Sequence, residues 1–97
     1  MEDREPYILG TDEEELKRLK VQHNVWRSET VKGWDLAGFK LGDVILDLGS
    51  GPGYCTKELA DIVGYSGKVI GVDRSKSFIN HLQWERDKSG LNIEPIL

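Results

Sequence analysis

The sequence holds one cysteine, three prolines and two histidines, and nowhere an apolar run long enough to cross a bilayer. Each shortage closes off a class of protein. Cys55 alone cannot form an internal disulfide, which suits a reducing compartment such as the cytoplasm. A membrane span needs about 18 consecutive apolar residues, so no membrane partner is expected. The start, Met1-Glu2-Asp3-Arg4-Glu5, has neither the basic end nor the apolar core of a secretory signal. His23 has no second histidine, cysteine or carboxylate beside it at metal-ligand spacing, so no metal is expected either. Basic residues are also short. Thirteen Lys and Arg against 17 Asp and Glu leave a net charge of −4, which argues against a nucleic-acid surface. Ninety-seven residues make one domain at most, small for an α/β fold with a full sheet.

What the chain does have is a glycine-rich stretch between two recognisable elements. Val44-Ile45-Leu46-Asp47-Leu48 carries one charge and reads as a strand buried on both faces, as in a parallel sheet. Gly49, Gly51 and Gly53, interleaved with Ser50 and Pro52, then form a turn whose backbone can lie flat against a ligand. A helix follows over Tyr54–Val63, and its first N–H groups offer donors to a carboxylate or phosphate. A second apolar run, Val69-Ile70-Gly71-Val72, ends at Asp73, about 20 residues beyond Gly53. An acidic residue there can hold the two hydroxyls of a ribose. These residues describe a nucleoside-cofactor site.

Asp47 narrows the cofactor. A dinucleotide loop presents its N–H groups to a pyrophosphate, and a carboxylate just before the glycines repels that dianion. Tyr54 also stands where the dinucleotide fingerprint wants its third glycine. A cationic cofactor reverses the charge argument. Leu46-Asp47-Leu48-Gly49-Ser50-Gly51-Pro52-Gly53, with Gly71-Val72-Asp73, resembles the first two motifs of class I S-adenosylmethionine-dependent methyltransferases. The resemblance implies that S-adenosylmethionine is the cofactor. It implies that Asp47, Gly49, Ser50, Gly51, Pro52 and Gly53 hold its methionyl end, that Asp73 holds the ribose, and that Arg74 packs on the adenine. Tyr7-Ile8-Leu9-Gly10 through Gln22 looks like the leader that one group of this family folds over the cofactor, which brings in Gln22 or Tyr7. The resemblance assigns no catalytic residue and no methyl acceptor. Two other readings stay open: an NAD(P)-binding fragment of an oxidoreductase, and a short protein that binds a nucleoside or partner without chemistry.

The remaining elements follow from caps and periodicity. Thr11 and Glu14 make a capping box for a first helix, with Leu16, Leu19, His23 and Trp26 on its packing stripe. Glu29–Ala37 reads as a short second helix stopped by Gly38. Cys55 falls on a buried stripe with Leu59 and Ile62, as a small core residue. Ser75 caps a helix that Gly90 ends, with Phe78, Ile79, Leu82 and Arg86 inward. On that helix His81 reads as solvated, and Trp84 as exposed or packed on a partner. Leu91–Leu97 is a third strand, and Pro95 makes it an edge. The expected fold is α/β: a partial, Rossmann-like parallel sheet of order 3-2-1 with flanking helices and an N-terminal helical leader. Residues 1–42 are the leader and 43–97 the cofactor-binding half-domain. The family's fold is about twice as long, so strands four to seven and the acceptor pocket lie outside these residues. The chain alone is therefore expected to be inactive, and to form a homo-oligomer through the unpaired edge of its first strand.

Overall fold

The computed structural model describes residues 13–97. The leader motif around Tyr7 and the Thr11 cap lie outside that span. Six elements follow in order: α1 (Glu13–Ala37), β1 (Val44–Leu48), α2 (Tyr54–Val63), β2 (Lys68–Val72), α3 (Lys76–Ser89) and β3 (Ile93–Ile96). The three strands form one parallel sheet of order β1-β2-β3, with Val44 opposite Lys68 and Val69 opposite Ile93. This is the expected 3-2-1 order.

The expected pair of leader helices is a single helix of 25 residues. Nothing in Trp26-Arg27-Ser28-Glu29 breaks an α-helix, as neither proline nor glycine is present. The Thr30 hydroxyl also donates to the Trp26 carbonyl at 3.1 Å, a bond back along the same helix. Gly38, at φ 77°, is where the helix stops.

α2 and α3 cover one face of the sheet. Ile45, Val69 and Ile93 from the strands meet Leu59, Ala60 and Val63 of α2 and Ile79 and Leu82 of α3, all buried. Trp34, Phe39, Ile62 and Leu91 close the margins of this core. Leu82 is fully buried and fills the place where the strand ends and the glycine loop converge. A Cβ at Gly71 would lie 2.8 Å from Leu82 Cδ2, and one at Gly53 would collide with the same side chain. That contact favours glycine at Gly71, the next-to-last residue of β2.

The expectation that β1 is buried on both faces does not hold. Ile45 is buried, but Val44, Leu46 and Leu48 are 69%, 57% and 72% exposed. Alternate residues of a strand face opposite ways, and the described helices cover only one side. His81 is also corrected, being buried rather than solvated. Its Nε2 lies 3.4 Å from Glu85 Oε2, and Lys57 reaches Glu85 at 3.0 Å. The pair sits on the side of α3 next to Leu82, where a charge must be matched to be tolerated. Trp84 is half-buried by its own helix, against the His81 ring and under Lys88 Nζ at 4.2 Å.

Candidate cofactor-binding site

The glycine loop leaves the end of β1 and is tied to the end of β2. Gly49 and Ser50 both donate their N–H to the Val72 carbonyl, at 2.7 and 2.9 Å. Gly51 donates to Asp73 Oδ2 at 2.9 Å, and Gly53 to the Ser50 carbonyl at 3.2 Å. Gly49, Gly51 and Gly53 have φ of 69°, 61° and 100°, in the left-handed region that side chains disfavour. A Cβ at Gly51 would meet nothing within 4 Å. Conformation and access to the cavity therefore select glycine there, and crowding does not.

These bonds have a chemical consequence. The N–H groups of Gly49, Ser50, Gly51 and Gly53 are already engaged inside the protein, and Pro52 has none to give. The loop is a smooth wall rather than a phosphate cradle.

Asp73 holds the wall in place. Its Oδ2 accepts from Gly51 N and its Oδ1 from Ser75 N at 2.8 Å. Each carboxylate oxygen keeps further acceptor capacity for a ligand hydroxyl. Asp47, at the end of β1, is half-buried and accepts from the buried Thr56 hydroxyl at 2.7 Å. Burial pushes its carboxyl above the usual carboxylate range, and the Thr56 hydrogen bond opposes that in part. Among the described residues no lysine or arginine pairs with Asp47.

The two carboxylates open on a cavity of about 500 Å³, a size that admits a nucleoside cofactor. The sheet side supplies Asp47, Gly49, Ser50, Gly51, Pro52 and Asp73; α1 supplies Gln22, His23 and Trp26 among others. Two expected site residues fall elsewhere. Gly53 is buried under Leu82 as the residue that starts α2, and Arg74 is exposed between Asp73 and the Ser75 cap. Phe78 of α3 lines the cavity in place of Arg74.

Gln22, which the leader resemblance brings in, stands in the α1 wall, whereas His23, Trp26 and Cys55 read from the sequence as packing residues. α1 is fastened to α2 by Tyr54, whose hydroxyl donates to the Leu16 carbonyl at 3.0 Å, and by Arg27 and His23, which meet Glu58 at 2.8 and 2.7 Å. The signal was a histidine and a tryptophan inside an apolar helical stripe, which reads equally as packing. Trp26 is in fact 60% exposed, so the stripe is a cavity wall more than a core face.

A family model described as a methyltransferase domain matches residues 39–94, more than half of the chain. The chain belongs to the methyltransferase domain family, in its class I S-adenosylmethionine-dependent branch. Among individual relatives, the demethylmenaquinone methyltransferase of Lactococcus lactis subsp. lactis is 46% identical over 75 residues, 75% of this chain and 28% of that protein. The 2-phytyl-1,4-naphtoquinone methyltransferase of Synechococcus elongatus is 43% identical over 58 residues, covering 60% of this chain and 24% of the relative. Among solved structures, a SAM-dependent methyltransferase from Aquifex aeolicus superposes with a TM-score of 0.61 at 34% identity, covering 66% of this chain and 35% of that one. Aeropyrum pernix fibrillarin, solved with natively bound S-adenosyl-L-methionine, gives 0.56 at 34% identity over 61% of this chain and 25% of its own. The chain thus spans about a quarter to a third of the length of these proteins. None of them supports the oxidoreductase alternative.

Proposed function

We propose that this chain is the part of a cytoplasmic methyltransferase that holds S-adenosylmethionine, and that the whole protein transfers the cofactor's methyl group to an acceptor. One observation carries the reading. The cavity is walled by Asp47 and Asp73, has no lysine or arginine in its lining, and meets a loop whose N–H groups are already used. A pyrophosphate finds two carboxylates there, no cationic side chain in the lining and no free N–H on the glycine loop. A ligand bearing a sulfonium and an ammonium finds a half-buried carboxylate in need of a cation.

Asp47 would take the ammonium of the methionyl end, with Gly49, Ser50, Gly51 and Pro52 beneath it. Asp73 would take the ribose hydroxyls, and Phe78 would pack on the base. When bound, the cofactor supplies an electrophilic methyl group for in-line displacement, and the protein's part is chiefly positioning. The quinone-type acceptors in two relatives' names make a planar aromatic acceptor the first class to try.

Self-association belongs to the same proposal. β1 pairs only with β2 among the described residues, and its Val44, Leu46 and Leu48 are exposed. The other edge carries Pro95, which offers no ladder donor there. An open apolar edge is a template for strand pairing, so a second copy meeting β1 is the expected occupant.

A thermal-shift comparison of S-adenosylmethionine, S-adenosylhomocysteine and NAD tests the cofactor. Stabilisation by the first two and not by NAD is expected. Stabilisation by NAD alone would reverse the assignment.

A further inference from the structure

We propose that Cys55 is an alkylation site, a thiol served by His23 as proton acceptor and by Glu58 as holder of the imidazole, open to soft carbon electrophiles that enter the cavity. The basis is a relay of three side chains across two helices. His23 Nδ1 lies 3.6 Å from Cys55 Sγ, and His23 Nε2 lies 2.7 Å from Glu58 Oε2. An ionised carboxylate only accepts, so Nε2 carries the imidazole proton and Nδ1 turns its lone pair to the thiol. Arg27 Nε fixes Glu58 in turn, donating at 2.8 and 3.0 Å. The Tyr54 ring stacks on the imidazole at 5.9 Å between centroids and 26° between planes, which restrains its rotation. Nucleophile, base and orienting carboxylate, each in reach of the next, is how a weak nucleophile is activated. Cys55 and His23 both line the cavity of about 500 Å³. An electrophile held there meets the sulfur without crossing the core.

The pattern of charges around the thiol explains why a base is needed. Burial, and then Asp47 and Glu58, push the Cys55 thiol up, so it rests protonated. In the reaction the Sγ–C bond forms as the bond from that carbon to its leaving group breaks. The leaving group departs with the electron pair, and the thiol proton passes to His23 Nδ1. Glu58 then stabilises the imidazolium. No oxidant or reductant enters the balance. His23 and Cys55 stand 32 positions apart, and only the packing of α1 on α2 brings them together.

The test is the rate at which iodoacetamide labels the 97-residue chain, read by mass spectrometry at its only cysteine. Folded wild type is expected to label at Cys55, and His23→Gln about 100-fold more slowly or more, the range of a lost general base. Glu58→Gln should fall between them. In urea all three should label at one rate, because only a free thiol is left. Circular dichroism reports whether each variant folds; should His23→Gln not fold, the slowing in Glu58→Gln decides. Equal rates in folded wild type and folded variants would overturn the proposal, and so would a folded wild type that does not label. Saturating S-adenosylhomocysteine should protect Cys55. Calorimetric binding of that ligand without protection would place the thiol outside the cavity and sink the proposal. Absence of any binding heat would count against the cofactor reading alone, and the dependence on His23 would still decide.

Discussion

Asp47 and Asp73 stand at the ends of neighbouring parallel strands, yet their partners differ. Asp73 has two backbone N–H groups on it and lines the cavity, so it shapes the loop while facing the open space. Asp73→Ala is expected to weaken S-adenosylhomocysteine binding by about 1.5–3 kcal/mol, the worth of a charge-assisted hydrogen bond; unchanged calorimetric affinity would remove it from the site. Asp47 has one hydroxyl on it and a raised pKa. A carboxyl raised by burial protonates at higher pH than usual, and the protonated form cannot pair with an ammonium. Affinity for S-adenosylhomocysteine should therefore fall as pH is lowered into the carboxylate range, earlier than an ordinary aspartate would give, and Asp47→Asn should flatten that dependence. Gly51→Val places a branched side chain at φ 61° on the open cavity wall. Binding should vanish while circular dichroism keeps most of its helix signal; survival of binding would make the loop a mere connector. The two aspartates and the loop were legible because their order along the chain is a local motif. Arg74 is exposed and outside the cavity lining, since a neighbour of Asp73 can as well face solvent, and the meeting of His23 with Cys55 needs the tertiary fold.

At the scale of elements, caps carried most of what was readable. The Ser75 hydroxyl accepts from Phe78 N at 3.3 Å, and Gly64 and Gly90 follow the last residues of α2 and α3. The division of the leader into two helices does not hold: Trp34 stands about five whole turns beyond Leu16 and continues the stripe of Leu19, His23 and Trp26, while Val31 lies about 100° off it. A helix can rotate its contacts along its length without breaking, and α1 lies first on α2 and later against the core margin. His81 and Glu85 were hard to place for the opposite reason: two polar residues one turn apart read as a solvated face until a lysine from another helix joins them. The element contact that matters most to the site is Leu82 of α3 beneath Gly53 and Gly71. Leu82→Ala removes a fully buried side chain and should cost about 2–5 kcal/mol in denaturant unfolding. A loss under about 0.5 kcal/mol, the size of a surface effect, would mean that α3 does not anchor the loop.

At the scale of the molecule, the sheet is covered on one face and open on the other among the described residues, with Val44, Leu46 and Leu48 exposed along the free edge. Sequence alone could not show this, because a strand rich in Val, Ile and Leu looks the same whether one face or both are covered. Light scattering at micromolar concentration should report a dimer or larger assembly, and a monodisperse 11.0 kDa monomer would exclude pairing through β1. The cavity, too, is a property of the whole, since α1, β1, α2, α3 and the loops after β1 and β2 all line it. The proposed role of Asp47 in that cavity is to select a cationic cofactor. Calorimetric titration of wild type and Asp47→Asn with S-adenosylhomocysteine and with adenosine isolates that role, because adenosine keeps the ribose and base but lacks the ammonium. The account predicts that Asp47→Asn weakens S-adenosylhomocysteine by about 10- to 100-fold and leaves adenosine unchanged. Equal loss for both ligands, or none for either, would contradict it.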